Sequence, residues 1–277
     1  MWWGLVCAAL AAVLYGMASV LQAIAAQAGP EHAAPRALFR LLTHWRYLLG
    51  FALDGLGFLA QVLALRTLPL FLVQAMLAGS LAVTALGARW LMRTALARGE
   101  WLSVLAVGAG LALLGAGAAR EGAAHTGTAF HLAVLIAAGG LAVPAWLSAR
   151  LPARVRGPVL GLLAGFAFGA VAIASRVFDP AVWFADPAAY AIPVAGVVAV
   201  LAFAAALQRG RITVATAMMV LGETLLPSLI GFTALGDAAR PGFLPLTALG
   251  FAVAVLAAIA LARFGEPGPV HASPERD

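Results

Sequence analysis

Apolar residues run along this chain in nine stretches, at 3–27, 46–66, 68–90, 100–118, 129–149, 157–178, 188–207, 212–235 and 243–263. A helix needs about 20 mostly apolar residues to cross the hydrocarbon of a bilayer, and each stretch is close to that length. The breaks fall on turn chemistry and charge: Gly29-Pro30, Arg66 to Pro69, Arg98-Gly99-Glu100, Arg120-Glu121-Gly122, Pro152, Asp179-Pro180, Arg209-Gly210-Arg211 and Pro241-Gly242. None of these breaks is long enough for a separate domain. The polar, Pro-rich tail after Phe264, EPGPVHASPERD, is expected to be disordered. The pattern predicts an all-α polytopic membrane protein with nine transmembrane helices.

Composition sharpens this reading. Of 277 residues, 64% are hydrophobic and 10% charged, with a mean hydropathy of +1.00. A soluble domain carries about 45–50% apolar and about 25% charged residues. A soluble enzyme, a disordered chain and a secreted disulfide scaffold are therefore excluded. The single cysteine, Cys7, excludes an internal disulfide and a Cys-rich metal site.

All 17 basic residues are Arg, and their distribution gives an orientation. Loops 1–2, 3–4, 5–6 and 7–8 with the C-terminus hold 13 of the 17, leaving Arg66, Arg120, Arg176 and Arg240 for the other side. The positive-inside rule then predicts a cytoplasmic C-terminus and an outside N-terminus in the plasma (inner) membrane. The basic balance is a topology signal, and nothing points to nucleic acid as a partner. No basic region precedes the first apolar stretch, so a signal peptide is not expected there.

A shift of 143 residues superimposes two parts of the chain without a gap. Tyr47 falls on Tyr190, Arg66 on Arg209, Met76 on Met219, Gly79 on Gly222 and Gly99 on Gly242. Stretches 2–4 thus match 7–9. Stretch 1 matches 6, with Gly16 over Gly169 at a shift of 153. Stretch 5 has no second copy. An odd number of crossings separates the copies, so they run through the membrane in opposite senses. The expected organisation is an inverted 5+4 repeat: 1–151, then 152–264, then the tail 265–277. Inverted repeats are the architecture of many secondary transporters, with the substrate site near the midplane between the copies.

With this helix plan and the short 2–3 and 7–8 turns, the chain resembles the drug/metabolite transporter superfamily, EamA-like. Its nine-span, outside-to-inside plan is similar to the magnesium-transporter-like branch. The stretches LYGMASVLQ (14–22) and GETLLPSLIGFTALGD (222–237) carry the resemblance. The second resembles the helix-plus-acid segment that closes many repeats of the superfamily. Two features depart from that pattern: there is no tenth span, and Thr94 stands where the second copy has Asp237. The resemblance implies transport and names no substrate.

The candidate chemistry lies in the polar residues inside the stretches. Of 11 acidic residues, Asp54 and Glu223 fall deep in predicted spans, where an acid costs about 2.5–3.5 kcal/mol on insertion scales. Such residues usually face a protein interior or a wet cavity. Gln61 shares a helix face with Asp54, and Gly50 and Gly57 would let a neighbour approach it closely. At Glu223, Pro227 removes the N–H that would bond the carbonyl of residue 223. That position could offer a carboxylate and a freed carbonyl together, unless Thr224 or a neighbouring helix takes the carbonyl. Thr216 shares the Glu223 face. Tyr15, Ser19 and Gln22 form one polar stripe at helical spacing, and Gln74 adds to it from stretch 3. These residues either line a cavity or bond between helices.

Arg176, near the outer end of stretch 6, is expected to snorkel to the headgroups, with pairing to an intramembrane acid as the alternative. Gly161, Gly165 and Gly169 form a ladder that suits helix packing. His125 and His131 lack the companions of a metal site. Trp2, Trp3, Trp45, Trp90 and Trp101 fall at span ends as interfacial anchors.

The expectation is a secondary transporter for a small solute, working by alternating access and coupled to a proton or cation. Stretches 1, 2, 3, 6, 7 and 8 would surround its cavity, with Glu223 as the proton or cation site. No cofactor motif or enzyme nucleophile–base pair is present, so it is not expected to be an enzyme. Partners are expected to be a small-molecule or ion substrate and membrane lipid, with homodimerisation left open. One alternative is a divalent-cation permease, since Mg²⁺ keeps its water and needs one or two carboxylates. Another is a scaffold without transport, binding protein through an exposed glycine ladder.

Overall fold

The turns at Arg66 to Pro69, Pro152, Asp179-Pro180 and Pro241-Gly242 do separate helices, whereas Arg98-Gly99-Glu100 forms the first turn of a helix, and Gly29-Pro30 and Gly210-Arg211 lie outside the described residues. The computed structural model describes residues 2–27, 45–91, 97–117, 119, 126–209 and 212–264, and every helix and strand assignment among them is helical. Thr94, His125, the Arg120-Glu121-Gly122 turn and the tail 265–277 lie outside the described residues.

The elements are α1 (Trp2–Gln27), α2 (Trp45–Leu65), α3 (Leu70–Ala78), α4 (Ser80–Leu91), α5 (Arg98–Gly117), α6 (Thr128–Gly140), α7 (Ala142–Leu147), α8 (Ala153–Val177), α9 (Pro187–Arg209), α10 (Ile212–Ala234) and α11 (Leu244–Phe264). Taken as continuous helical runs, they give nine candidate spans among the described residues. These coincide within a few residues with the nine apolar stretches.

Two spans are irregular at a single residue that keeps helical dihedrals. The third turns at Gly79 between α3 and α4. The fifth turns at Leu141 between α6 and α7, where Pro144 cannot donate to the carbonyl of Gly140. The sixth begins earlier than expected, at Ala153, with Pro152 preceding it. There the Arg156 guanidinium bonds the carbonyls of Ala149 and Leu151 and closes the turn.

Packing follows the small residues. α1 lies along α2 and also meets the third span through α4 and α3. α8 lies along α9 and along α10. α5 pairs with α11, and α3 meets α10. A Cβ at Gly110 of α5 would sit 2.6 Å from the backbone N of Ala254 and 2.8 Å from the carbonyl of Gly250. Those two helices therefore touch through backbone, the close approach that small residues permit in membranes.

The ladder of Gly161, Gly165 and Gly169 is covered. Cβ atoms there would run into Ala215, into Met219 with Glu223, and into Pro227 of α10. The exposed ladder needed by the scaffold alternative is thus corrected: it is the α8–α10 seam. By contrast Trp2, Trp3, Trp45, Trp90 and Trp101 are exposed at helix ends, as interfacial anchors would be.

Candidate functional site: an acidic cavity

A cavity of about 590 Å³ lies among α1, α2, α3, α4, α8, α9 and α10. Asp54 of α2 and Glu223 of α10 both line it, as do Tyr15, Ser19 and Gln61. Chain-distant helices thus bring the two deep acids to one space.

The α1–α2 wall owes its form to glycine. A Cβ at Gly50 would stand 2.8 Å from Cγ of Gln22, and one at Gly57 would stand 3.3 Å from the Tyr15 ring. With hydrogen at both positions, Gln22 and Tyr15 lie against α2. Gln22 donates from Nε2 to Asp54 Oδ2 at 2.6 Å, and Tyr15 donates its O–H to Gln61 Oε1 at 2.9 Å. Ser19 donates to its own helix, at the carbonyl of Tyr15. The polar stripe of α1 is therefore split: Tyr15 and Ser19 face the cavity, while Gln22 holds Asp54 from outside the lining.

At Glu223 the expected pairing of carboxylate and freed carbonyl is corrected. Pro227 does leave the carbonyl of residue 223 without its helical donor, but Gln74 Nε2 donates to it at 2.7 Å. Gln74 is 1% exposed and absent from the cavity lining. It is a structural partner of the kink, and the carbonyl is not free for a ligand. Pro227 is buried against Gly169. Thr224, which lines the cavity, turns its hydroxyl to the carbonyl of Val220. The Glu223 carboxylate has no hydrogen-bond partner among the described residues. Thr216 is not in the lining, where the α10 contribution begins at Met219.

Arg176 does not snorkel. Its side chain is 7% exposed and pairs with Asp237, whose side chain is fully buried, at 3.2 Å. It also bonds the carbonyls of Leu65 and Leu68. Asp237 Oδ2 in turn accepts the N–H of Leu70 at 2.6 Å, satisfying one of the orphan donors that start α3. Nearby, Arg66 donates to the carbonyl of Phe178 at 2.6 Å, and Phe71 stacks on Phe232 with centroids 4.9 Å apart. This knot lies about 7–12 Å along α8 from the cavity residues Val171 and Phe168, at 1.5 Å per residue. Leu65, Leu68, Leu70 and Leu72 are almost wholly buried around it. Arg176 thus pairs with an acid, but with neither acid of the cavity.

His131 is also partnered. Its Nδ1 lies 2.6 Å from Asp186 Oδ1, and its Nε2 lies 2.9 Å from Thr126 Oγ1. Asp186 precedes α9 and further accepts the N–H groups of Asp179 and Ala188. Burial pushes the Asp186 carboxyl up, but those two N–H groups and His131 outweigh it and hold the group below its ordinary value. Among the described residues no three His, Cys, Asp or Glu side chains gather as a metal-holding group.

Sequence reasoning did not anticipate the aromatic wall of Phe58, Phe168 and Phe203, nor Ser80 beside Gly79. Phenylalanines scattered through apolar spans carry no local sign of which way they face.

No protein-family model, curated protein or solved structure matches this chain.

Proposed function

We propose that this protein is a secondary transporter of the plasma membrane that moves a small solute by alternating access, coupled to a proton or cation. One observation carries the reading: Asp54 and Glu223, from opposite halves of the chain, line a single cavity of about 590 Å³. Acids inside spans that face a shared cavity mark ion, proton or substrate routes, and the volume is within the range of small-molecule sites.

The helix pairing supports an inverted repeat. Exchanging spans 1, 2, 3 and 4 for 6, 7, 8 and 9 turns the α1–α2 pair into α8–α9, and the contact of span 1 with span 3 into α8–α10. It maps the third-with-eighth and fourth-with-ninth contacts onto themselves. Gly16 is crowded by Val83 of span 3 and Gly169 by Pro227 of span 8, Val83 and Pro227 being places one residue apart at the 143-residue shift. On this reading, with the N-terminus outside and the C-terminus cytoplasmic, the Arg176–Asp237 knot closes the outer end. Transport requires the halves to rock and open it.

The test is reconstitution in liposomes with an imposed pH gradient, assaying uptake and efflux of a broad solute panel. The wild type should show gradient-dependent flux of at least one solute. Glu223→Gln, with its fold retained, should abolish the coupling. Flux of Mg²⁺ with no organic solute carried would favour the divalent-cation permease. Function that survives replacement of both acids would favour a non-transporting scaffold.

A further inference from the structure

The lining is chemically lopsided, and this specifies the ligand. Among the described residues no basic side chain lines the cavity, whereas two carboxylates do. Its hydroxyl donors are largely spent inside the protein. Tyr15 donates to Gln61, Ser19 to the carbonyl of Tyr15, and Thr224 to the carbonyl of Val220. Gln61 and Ser80 hold the remaining side-chain donors. The cavity thus offers chiefly acceptors: two carboxylates and oxygens whose protons point elsewhere. A ligand that complements this set donates hydrogen bonds and carries positive charge.

The rest of the wall is apolar. Phe58, Phe168 and Phe203 line it together with aliphatic side chains of α4, α8 and α9. Hydrated Mg²⁺ keeps several waters and needs polar surroundings for them, which this wall does not supply. An anion would meet two like charges and, among the described residues, no cation. A zwitterionic amino acid would bring a carboxylate with few donors to receive it, and unpaired polar groups in such a site are costly. An ammonium on an apolar or aromatic body satisfies every feature. Its N–H groups reach carboxylates, its charge compensates half-buried acids, its body fills the apolar wall, and the phenyl faces attract cations.

We propose that the cavity binds a protonated amine carried on an apolar or aromatic body, with Asp54 and Glu223 as its acceptors and Phe58, Phe168 and Phe203 as the wall for its body. This rests on the reading of the cavity as the transport site.

Four related probes test the proposal on the detergent-purified full chain by calorimetric titration at neutral pH: phenethylammonium, methylammonium, phenylalanine and 3-phenylpropanoate. Mg²⁺ serves as competitor. Phenethylammonium should bind. Methylammonium, without the body, and phenylalanine, with the added carboxylate, should each bind at least tenfold more weakly. Phenylpropanoate should not bind, and millimolar Mg²⁺ should not displace the amine. Asp54→Asn and Glu223→Gln should each weaken phenethylammonium at least tenfold. If either variant fails to fold, the wild-type probe series alone decides. Binding of phenylpropanoate at equal or higher affinity, full displacement by Mg²⁺, or no ammonium binding would overturn the proposal. Counterflow of radiolabelled phenethylammonium in proteoliposomes separates the two claims. Binding without flux of any solute sinks the transporter reading and keeps the ligand class. Flux of another solute without amine binding does the reverse.

Discussion

Replacing Asp237 by Asn separates charge from shape at the knot that joins α8, the chain after α10 and the α2–α3 turn. Its carboxylate lies 3.2 Å from Arg176 Nη2 and also receives the N–H of Leu70. At that separation and an effective dielectric of about 20, the Coulomb attraction is about 5 kcal/mol, before the cost of removing both charges from water. Removing one member of a buried pair typically costs about 3–5 kcal/mol, because the other charge is stranded. Arg176 keeps two carbonyl acceptors at Leu65 and Leu68, and an Asn amide oxygen can still accept from Leu70. Asp237→Asn should therefore fall near the lower end, at about 3 kcal/mol. Asp237→Ala also removes the cap on α3 and should cost about 1 kcal/mol more. The assay is reversible unfolding in mixed micelles, run as a double-mutant cycle with Arg176→Gln. The double variant should recover part of the loss, with a coupling above about 1 kcal/mol. Wild-type stability in Asp237→Asn, or a coupling near zero, would refute the assignment of this pair as the charged centre of the knot, from which Arg176 reaches the carbonyls of Leu65 and Leu68 and Asp237 the N–H of Leu70 in the other half.

Other predictions follow from the same packing. Gly165→Val would drive a side chain into the backbone of Met219 and Glu223 and should lower the melting temperature sharply or abolish folding. Gly108→Ala, with nothing within 4 Å of the new Cβ, should be neutral by the same thermal assay. Gln74→Leu strands the carbonyl of Glu223 and should cost about 1–3 kcal/mol. Pro227→Ala restores an intrahelical N–H for that carbonyl, so adding it should reduce the Gln74→Leu loss in unfolding titrations. Asp186 has a folded value held below its unfolded 3.8. Its contribution is therefore present above about pH 4 and lost as pH falls through the folded value. Asp186→Asn should lower stability at neutral pH and flatten the acid limb of a stability–pH curve below pH 4.

The spans are legible in the sequence because length and hydrophobicity suffice to define them, with Gly, Pro and Arg marking their ends. Asp54 and Glu223 stand out because acids are rare and costly in such segments. The rest depends on which way a side chain turns and on what chain-distant backbone it meets. Arg176 lies at the end of a span, where snorkelling is ordinary, yet its partners are the carbonyls of Leu65 and Leu68 and the carboxylate of Asp237. No local pattern announces a carbonyl more than a hundred residues away. His131 likewise finds Asp186 only through the packing of α6 against α9. Thr216 fails for an axial reason: seven residues along α10 is about 10 Å, which carries it past the cavity edge at Met219. Gln74 was recognisable as polar, but its bond to the carbonyl freed by Pro227 depends on α3 meeting α10.

The central claim is that the two acids face one water-accessible chamber between the halves. The lone, buried Cys7 makes a direct measurement practical. In a Cys7→Ala background, Asp54→Cys and Glu223→Cys are exposed to a small, water-soluble, membrane-impermeant thiol reagent in proteoliposomes. Leu56→Cys and Leu59→Cys, at positions exposed on the outer face of α2, serve as lipid-facing controls. The account predicts that both cavity positions react while both controls do not. It also predicts that a label placed at one cavity position slows reaction at the other in the doubly substituted chain. Cavity positions that stay silent to the aqueous reagent but react with a lipid-soluble maleimide would contradict it.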